Sequence, residues 1–99
     1  MGIYIGHPET GVEFNNAPLP LFEEVYDHSK KFNWGYGGSG PAQLALAIFC
    51  NEYGTDLDAH PVHYQDFKWA HISNLKQGQP FRISSEQIHD WVDKKKITG

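Results

Sequence analysis

Residues 44–50, Leu-Ala-Leu-Ala-Ile-Phe-Cys, are apolar without interruption, and no other stretch limits the choice of fold so severely. Alanine and leucine favour helix, Pro41 suits a first helical turn, and Gly54, just beyond Asn51 and Glu52, suits a left-handed cap. A helix that is apolar on every side has no solvent face. It must run through the middle of the core and be covered by other elements. With 99 residues the chain can build one domain around one modest core, so residues 1–99 are expected to form a single unit around this helix.

The covering elements are short. Gly2–Asn16 contains two β-rich pieces around Pro8, Glu9, Thr10 and Gly11, which predicts a hairpin with Ile3 and Ile5 on one face, Tyr4 on the other, and Val12 and Phe14 alternating in the second strand. Pro18 and Pro20 then interrupt regular structure, and residues 21–27 read as a third strand or an extended segment. Pro61 is expected to open a second helix running to about Lys76, with Tyr64, Phe67, His71 and Leu75 in register and Val62, Trp69 and Ile72 broadening the apolar surface. A short strand follows near Arg82. Ser84 and Gln87 have capping-box spacing at the head of a third helix, which turns Ile88, Trp91 and Val92 inward and ends in Lys94, Lys95 and Lys96, where cations suit the helix dipole. The fold class is α+β: a small N-terminal antiparallel meander, a hairpin plus one or two short strands, packed against about three helices.

The glycines before the central helix invite several familiar functions, and the residue pattern removes most of them. Gly35, Gly37 and Gly40 satisfy G-x-G-x-x-G, but no convincing strand precedes them and no βαβ unit surrounds them. A Walker loop needs Gly-Lys-Ser/Thr, whereas Gly40 is followed by Pro41 and Ala42. Ser39 lacks the outer glycine of a nucleophile elbow, since Pro41 stands there, and reads as a helix cap or a local turn residue. His60 and His63, with Asp56, Asp58 and Asp66 nearby, supply too few ligands for a metal site, and Cys50 reads as a small buried hydrophobe. His7, His28 and His89 read as surface positions, and His71 as half-buried. No cofactor is expected. What survives is geometry: glycines at a helix start can turn several N–H groups toward one small anion, with Trp34 and Tyr36 beside it.

Composition narrows the partners. Eight basic and twelve acidic residues give a net charge of −4, a field that does not steer toward nucleic acid or an anionic membrane. One cysteine excludes an internal disulfide. The chain shows neither a secretory leader pattern nor an apolar run near the ~20 residues of a membrane span, so a soluble cytoplasmic protein is expected.

The segment Trp34-Gly35-Tyr36-Gly37-Gly38-Ser39-Gly40-Pro41-Ala42-Gln43-Leu44-Ala45, the later Tyr64-Gln65-Asp66-Phe67-Lys68 and a Trp-containing last helix resemble a family of small domains of unknown function associated with phages, prophages, plasmids, bacteria and haloarchaea. The resemblance runs from the hairpin through Trp91 and implies no activity. Within these family-like positions Trp34, Gly35, Tyr36, Gly37, Gly38, Ser39, Gly40 and Gln43 are read as the candidate binding surface, with Gln65, Asp66 and Lys68 as support for the loop. A setting in mobile elements favours a non-catalytic accessory protein that binds a host or phage protein, for example to blunt a defence system. The alternative is a binder of, or enzyme acting on, a phosphate- or nucleotide-like small molecule through the helix start.

Overall fold

The computed structural model describes residues 2–98 and bears out the α+β class. Strands β1 (Ile3–His7) and β2 (Gly11–Phe14) form the expected antiparallel hairpin, with Tyr4 opposite Phe14 and Gly6 opposite Val12. The two-residue period turns Tyr4, Gly6 and Val12 inward and leaves Ile3 and Ile5 half-buried on the other face. The third strand is not in 21–27, where the chain makes a turn, but is the two-residue β3 (Ala17–Pro18). Asn15 and Asn16 both take positive φ, 51° and 69°, as a tight two-residue hairpin requires, and asparagine tolerates that region. Pro18 fits because β3 is an edge strand. Strand β4 (Phe81–Ser84) pairs antiparallel with the other side of β1, giving the order β3-β2-β1-β4.

Helix α1 (Ser39–Tyr53) is the central helix, with residues 40–50 all buried, and the Gly54 N–H closes it on the Cys50 carbonyl at 2.9 Å. It lies among Tyr4, Val12, Phe81 and Ile83 from the sheet, Tyr64, Phe67 and Ile72, and Ile88 and Val92 from α3 (Ser85–Thr98). The capping box ahead of α3 forms in both directions: the Gln87 N–H donates to Ser84 Oγ at 3.1 Å, and the Ser84 N–H to Gln87 Oε1 at 2.8 Å.

The second helix departs most from expectation. Residues 61–63 lie outside it, and α2 is only Tyr64–Ala70, followed by a single 3₁₀ turn, Ile72–Asn74. Ser73 Oγ and Asn74 Nδ2 both reach back to the Trp69 carbonyl, at 2.9 and 3.3 Å, and Asn74 Nδ2 also takes the Ala70 carbonyl at 3.0 Å. Side-chain donors thus satisfy the terminal carbonyls that a further turn would have used. Within α2 the buried face is Tyr64, Phe67 and Lys68, and Trp69 is 58% exposed instead of in the core.

Candidate functional site

The glycine segment is anchored at both ends. Trp34 is buried, its Nε1 donates to the Gln79 carbonyl at 2.8 Å, and its ring meets Phe81 edge-on at 4.7 Å between centroids. Gly35 donates its N–H to the Ile72 carbonyl at 3.0 Å and takes φ of +89°; a Cβ there would stand 2.4 Å from the Gln77 backbone nitrogen. Only glycine satisfies both the conformation and the approach. At the far end Gly38, not Ser39, is the N-cap of α1, and it offers no capping side chain. Ser39 is the exposed first helical residue and Pro41 the third.

Between these anchors two aromatic rings lie on bare glycine backbone. A Cβ on Gly38 would meet the Tyr36 ring at 2.4 Å, and one on Gly37 the Trp69 ring at 2.3 Å. Both rings face outward, Tyr36 38% and Trp69 58% exposed. Trp69 is the contributor that sequence reasoning missed, because its place in the helical register suggested core. Behind it Lys68 is buried, with its Nζ 4.1 Å from the centroid of the Trp69 ring. Among the described residues neither Gln65 nor Asp66 hydrogen-bonds to the loop. The second helix reaches it through Trp69 instead.

Gln43 has a different task from the surface role expected of it. It is fully buried, and its Oε1 accepts the backbone N–H groups of His28 and Ser29 at 2.7 and 3.2 Å, while its Nε2 donates to the carbonyls of Leu21 and Tyr26 at 2.7 and 3.0 Å. One amide side chain thereby fastens the irregular segment 20–33 to α1. Trp34, Gly40 and Gln43 are all buried, so the outward face of the expected binding surface is Tyr36, Gly37 and Ser39, joined by Trp69.

The fastened segment carries His28 to α2, where its Nε2 and the Tyr64 hydroxyl are 2.6 Å apart. Burial, and then the charge of Lys68, hold the His28 pKa below its ordinary value. Burial likewise raises the Tyr64 hydroxyl. His28 is therefore not the free surface residue that its sequence context suggests.

A second polar cluster joins α1 to α3. The Glu52 carboxylate accepts from the Tyr4 hydroxyl and, at 2.8 Å, from Ser85 Oγ, and its other oxygen meets His89 Nε2 at 2.7 Å. Serine, acid and histidine are present, yet the carboxylate stands between the other two. A nucleophilic serine needs the imidazole as its direct acceptor, and here Ser85 gives its proton to Glu52. The cluster ties the sheet and both helices together, and it takes His89 out of the surface set. His7 is also engaged, 3.1 Å from Glu13.

The other chemical candidates are occupied similarly. His60 Nε2 meets the Gly54 carbonyl at 2.7 Å, and His63 Nδ1 accepts the Gln65 N–H at the start of α2. Among the described residues no three His, Cys, Asp or Glu side chains gather as a metal site would need. Burial raises the Cys50 thiol to about 11, which disfavours the thiolate. A cleft of about 270 Å³ between the β1–β2 turn and residues 31–34 takes in Trp34 but none of residues 35–40. No described helix is long and apolar enough to cross a membrane.

Residues 4–94 match the model of a family of unknown function, DUF6166. No curated protein and no solved structure matches the chain.

Proposed function

The chain belongs to DUF6166, a family of unknown function, and since that membership assigns no activity we propose from the site itself that it is a non-catalytic binding protein acting by contact with a partner protein. The observation that carries this reading is the pair of outward-facing rings, Tyr36 and Trp69, seated on Gly38 and Gly37. Aromatic side chains held rigidly at a surface give large contact area for little lost conformational freedom, and such residues dominate the energetics of protein interfaces. The placement of the polar side chains supports it further: the serine, cysteine and histidines that chemistry could use are turned to structural bonds or raised away from reactivity. The partner is proposed to be a host or phage protein met in the cytoplasm, as the resemblance to mobile-element proteins would imply.

The test is crosslinking from position 36 in lysate, comparing the native chain with Trp69→Ala. The variant should melt close to the native temperature, because most of the ring is already in water, and should lose one specific crosslinked partner. An identical set of crosslinks from both chains would refute the reading.

A further inference from the structure

The alternation of a strand with one buried face normally sends apolar side chains to the core and polar ones outward. Strand β1 does otherwise. Tyr4 and Gly6 face inward, and both isoleucines, Ile3 and Ile5, lie on the outer face, half-buried yet neither part of the hydrophobic core nor packed against it. Two β-branched residues on the face opposite the core call for a surface from outside the chain.

The register supplies the rest of that face. Ile5 stands directly between Glu13 of β2 and Arg82 of β4, and Pro18 of β3 lies beyond Glu13, so one row crosses all four strands. Ile3 pairs with Ser84 in the next row. Two strand spacings, roughly 10 Å, separate the Glu13 and Arg82 backbones. Arg82 is exposed, and among the described residues its guanidinium has no partner. Glu13 lends one carboxylate oxygen to His7 Nε2 at 3.1 Å and keeps the other. The apolar stripe thus has an acid on one flank and an unpaired base on the other.

Such a face is complementary to itself. A two-fold axis parallel to β1, set between two copies, lays Ile3 and Ile5 on the same residues of the second copy and reverses the strand order, so each Glu13 comes opposite the other copy's Arg82. Sheets stack about 10 Å apart, a gap that a glutamate and an arginine reaching from opposite sides close. A face bearing one sign of charge would repel its own copy, whereas this one attracts it on both flanks. The free edge of β4 offers less, since Pro80 stands at one end and Gln87 Oε1 holds the Ser84 N–H at the other.

We propose that the chain associates with a second copy of itself through the outer face of the sheet, with Ile3 and Ile5 at the centre and reciprocal Glu13–Arg82 ion pairs on either side. The face spans roughly 300 Å², less than the ~800 Å² per partner of a stable complex, so the dimer is weak, with a dissociation constant on the order of 0.1 mM. Two copies so joined carry two Tyr36–Trp69 surfaces, which strengthens binding to a partner with repeated sites. The proposal goes beyond the protein-contact reading and uses none of its residues, so either can fail alone.

Sedimentation of the intact chain from about 10 µM to about 1 mM should show a monomer–dimer equilibrium, and amide NMR over the same range should move the signals of Ile3, Ile5, Glu13 and Arg82. Ile5→Thr keeps the β-branch at a position outside the core, so it should fold, as a melting curve checks, and weaken the dimer about tenfold or more. Glu13→Arg and Arg82→Glu should each do the same, because each sets like charges opposite one another on both flanks. Mixed in equal amounts, the two charge-swapped chains regain both ion pairs and should form a heterodimer about as tight as the native dimer. A native chain that stays monomeric at about 1 mM would overturn the proposal. A dimer that the single swaps leave unchanged, or swapped chains that do not recombine, would overturn it as well.

Discussion

Replacing Gln43 by methionine keeps the side-chain volume and removes four hydrogen bonds at once, two accepted by Oε1 and two donated by Nε2. The His28 and Ser29 N–H groups and the Leu21 and Tyr26 carbonyls would then face an apolar side chain. A buried backbone group left unpaired costs about 1–3 kcal/mol, and because these bonds are only partly buried, the low end applies, roughly 1 kcal/mol for each. Partial rescue by water as the segment loosens brings the expected loss to about 2–4 kcal/mol. Phe22 adds to it: its φ of 56° is an expensive conformation for a bulky residue, and the Leu21 carbonyl just before it is one of the four groups that Gln43 holds. For a domain of this size such a loss lowers the melting temperature by roughly 10–25 °C. Thermal melts give the stability, and hydrogen exchange at the amides of His28 and Ser29 gives the location. Gln43→Glu sharpens the test, since a carboxylate can accept both N–H groups but repels both carbonyls, so that variant should gain stability as acid protonates it. A Gln43→Met melting point within about 4 °C of the native value, with both amides still protected, would refute the fastening role.

Gly35→Ala should cost more than Gly78→Ala, although both glycines have positive φ, because only at Gly35 does a backbone atom occupy the place of the new Cβ. The conformational part is about 1–2 kcal/mol at either position, so chemical denaturation should show Gly35→Ala losing clearly more than that and Gly78→Ala no more; equal losses would contradict the close approach to Gln77. The chain should also weaken in mild acid. Burial lowers the pKa of His71, which packs between Phe67 and Trp91, and lowers that of His28, so below the ordinary imidazole value of about 6.5 the unfolded chain takes up protons that the folded chain resists. These contributions are complete above that pH and are lost as it falls toward the lowered folded values. Denaturation curves from about pH 7.5 to about pH 5 should show the decline, and His71→Phe should flatten it in part; parallel curves for the two chains would count against His71.

The parts of the fold that could be read in the sequence are those decided locally. The apolar run 44–50 could only be a central helix, and the box of Ser84 and Gln87 marks the start of α3 to the residue. The second helix failed for a reason that periodicity cannot show. Tyr64, Phe67, His71 and Leu75 stay in helical register through a break, while two small polar side chains, Ser73 and Asn74, divert the carbonyls that would have continued the helix. Trp69, five residues after Tyr64, falls off the buried face formed by Tyr64, Phe67 and Lys68. Lys68, expected beside the loop, is buried, whereas a lysine in mid-helix is ordinarily solvated. It lies four residues after Tyr64, on the same inward face, and that spacing was the available signal.

The two signature segments, 34–45 and 64–68, divide their residues between holding and presenting. Trp34, Gly35 and Gln43 are spent inward, on Gln79, Ile72 and the segment 20–33. Each of these bonds reaches across the fold to a part of the chain that no local pattern could have named. Their combined effect is to fix a stretch of glycine backbone that would otherwise be the most mobile part of the chain. Gly37 and Gly38 are then flat seats for rings, and α2 brings up one of those rings together with a cation. A loop needed only for turning into α1 would not require a tryptophan from another helix laid across it. The cost of ordering so much glycine is offset within the fold by those bonds and ring contacts, and since Tyr36 and Trp69 face outward from it, they are the residues at which mutation should separate binding from folding.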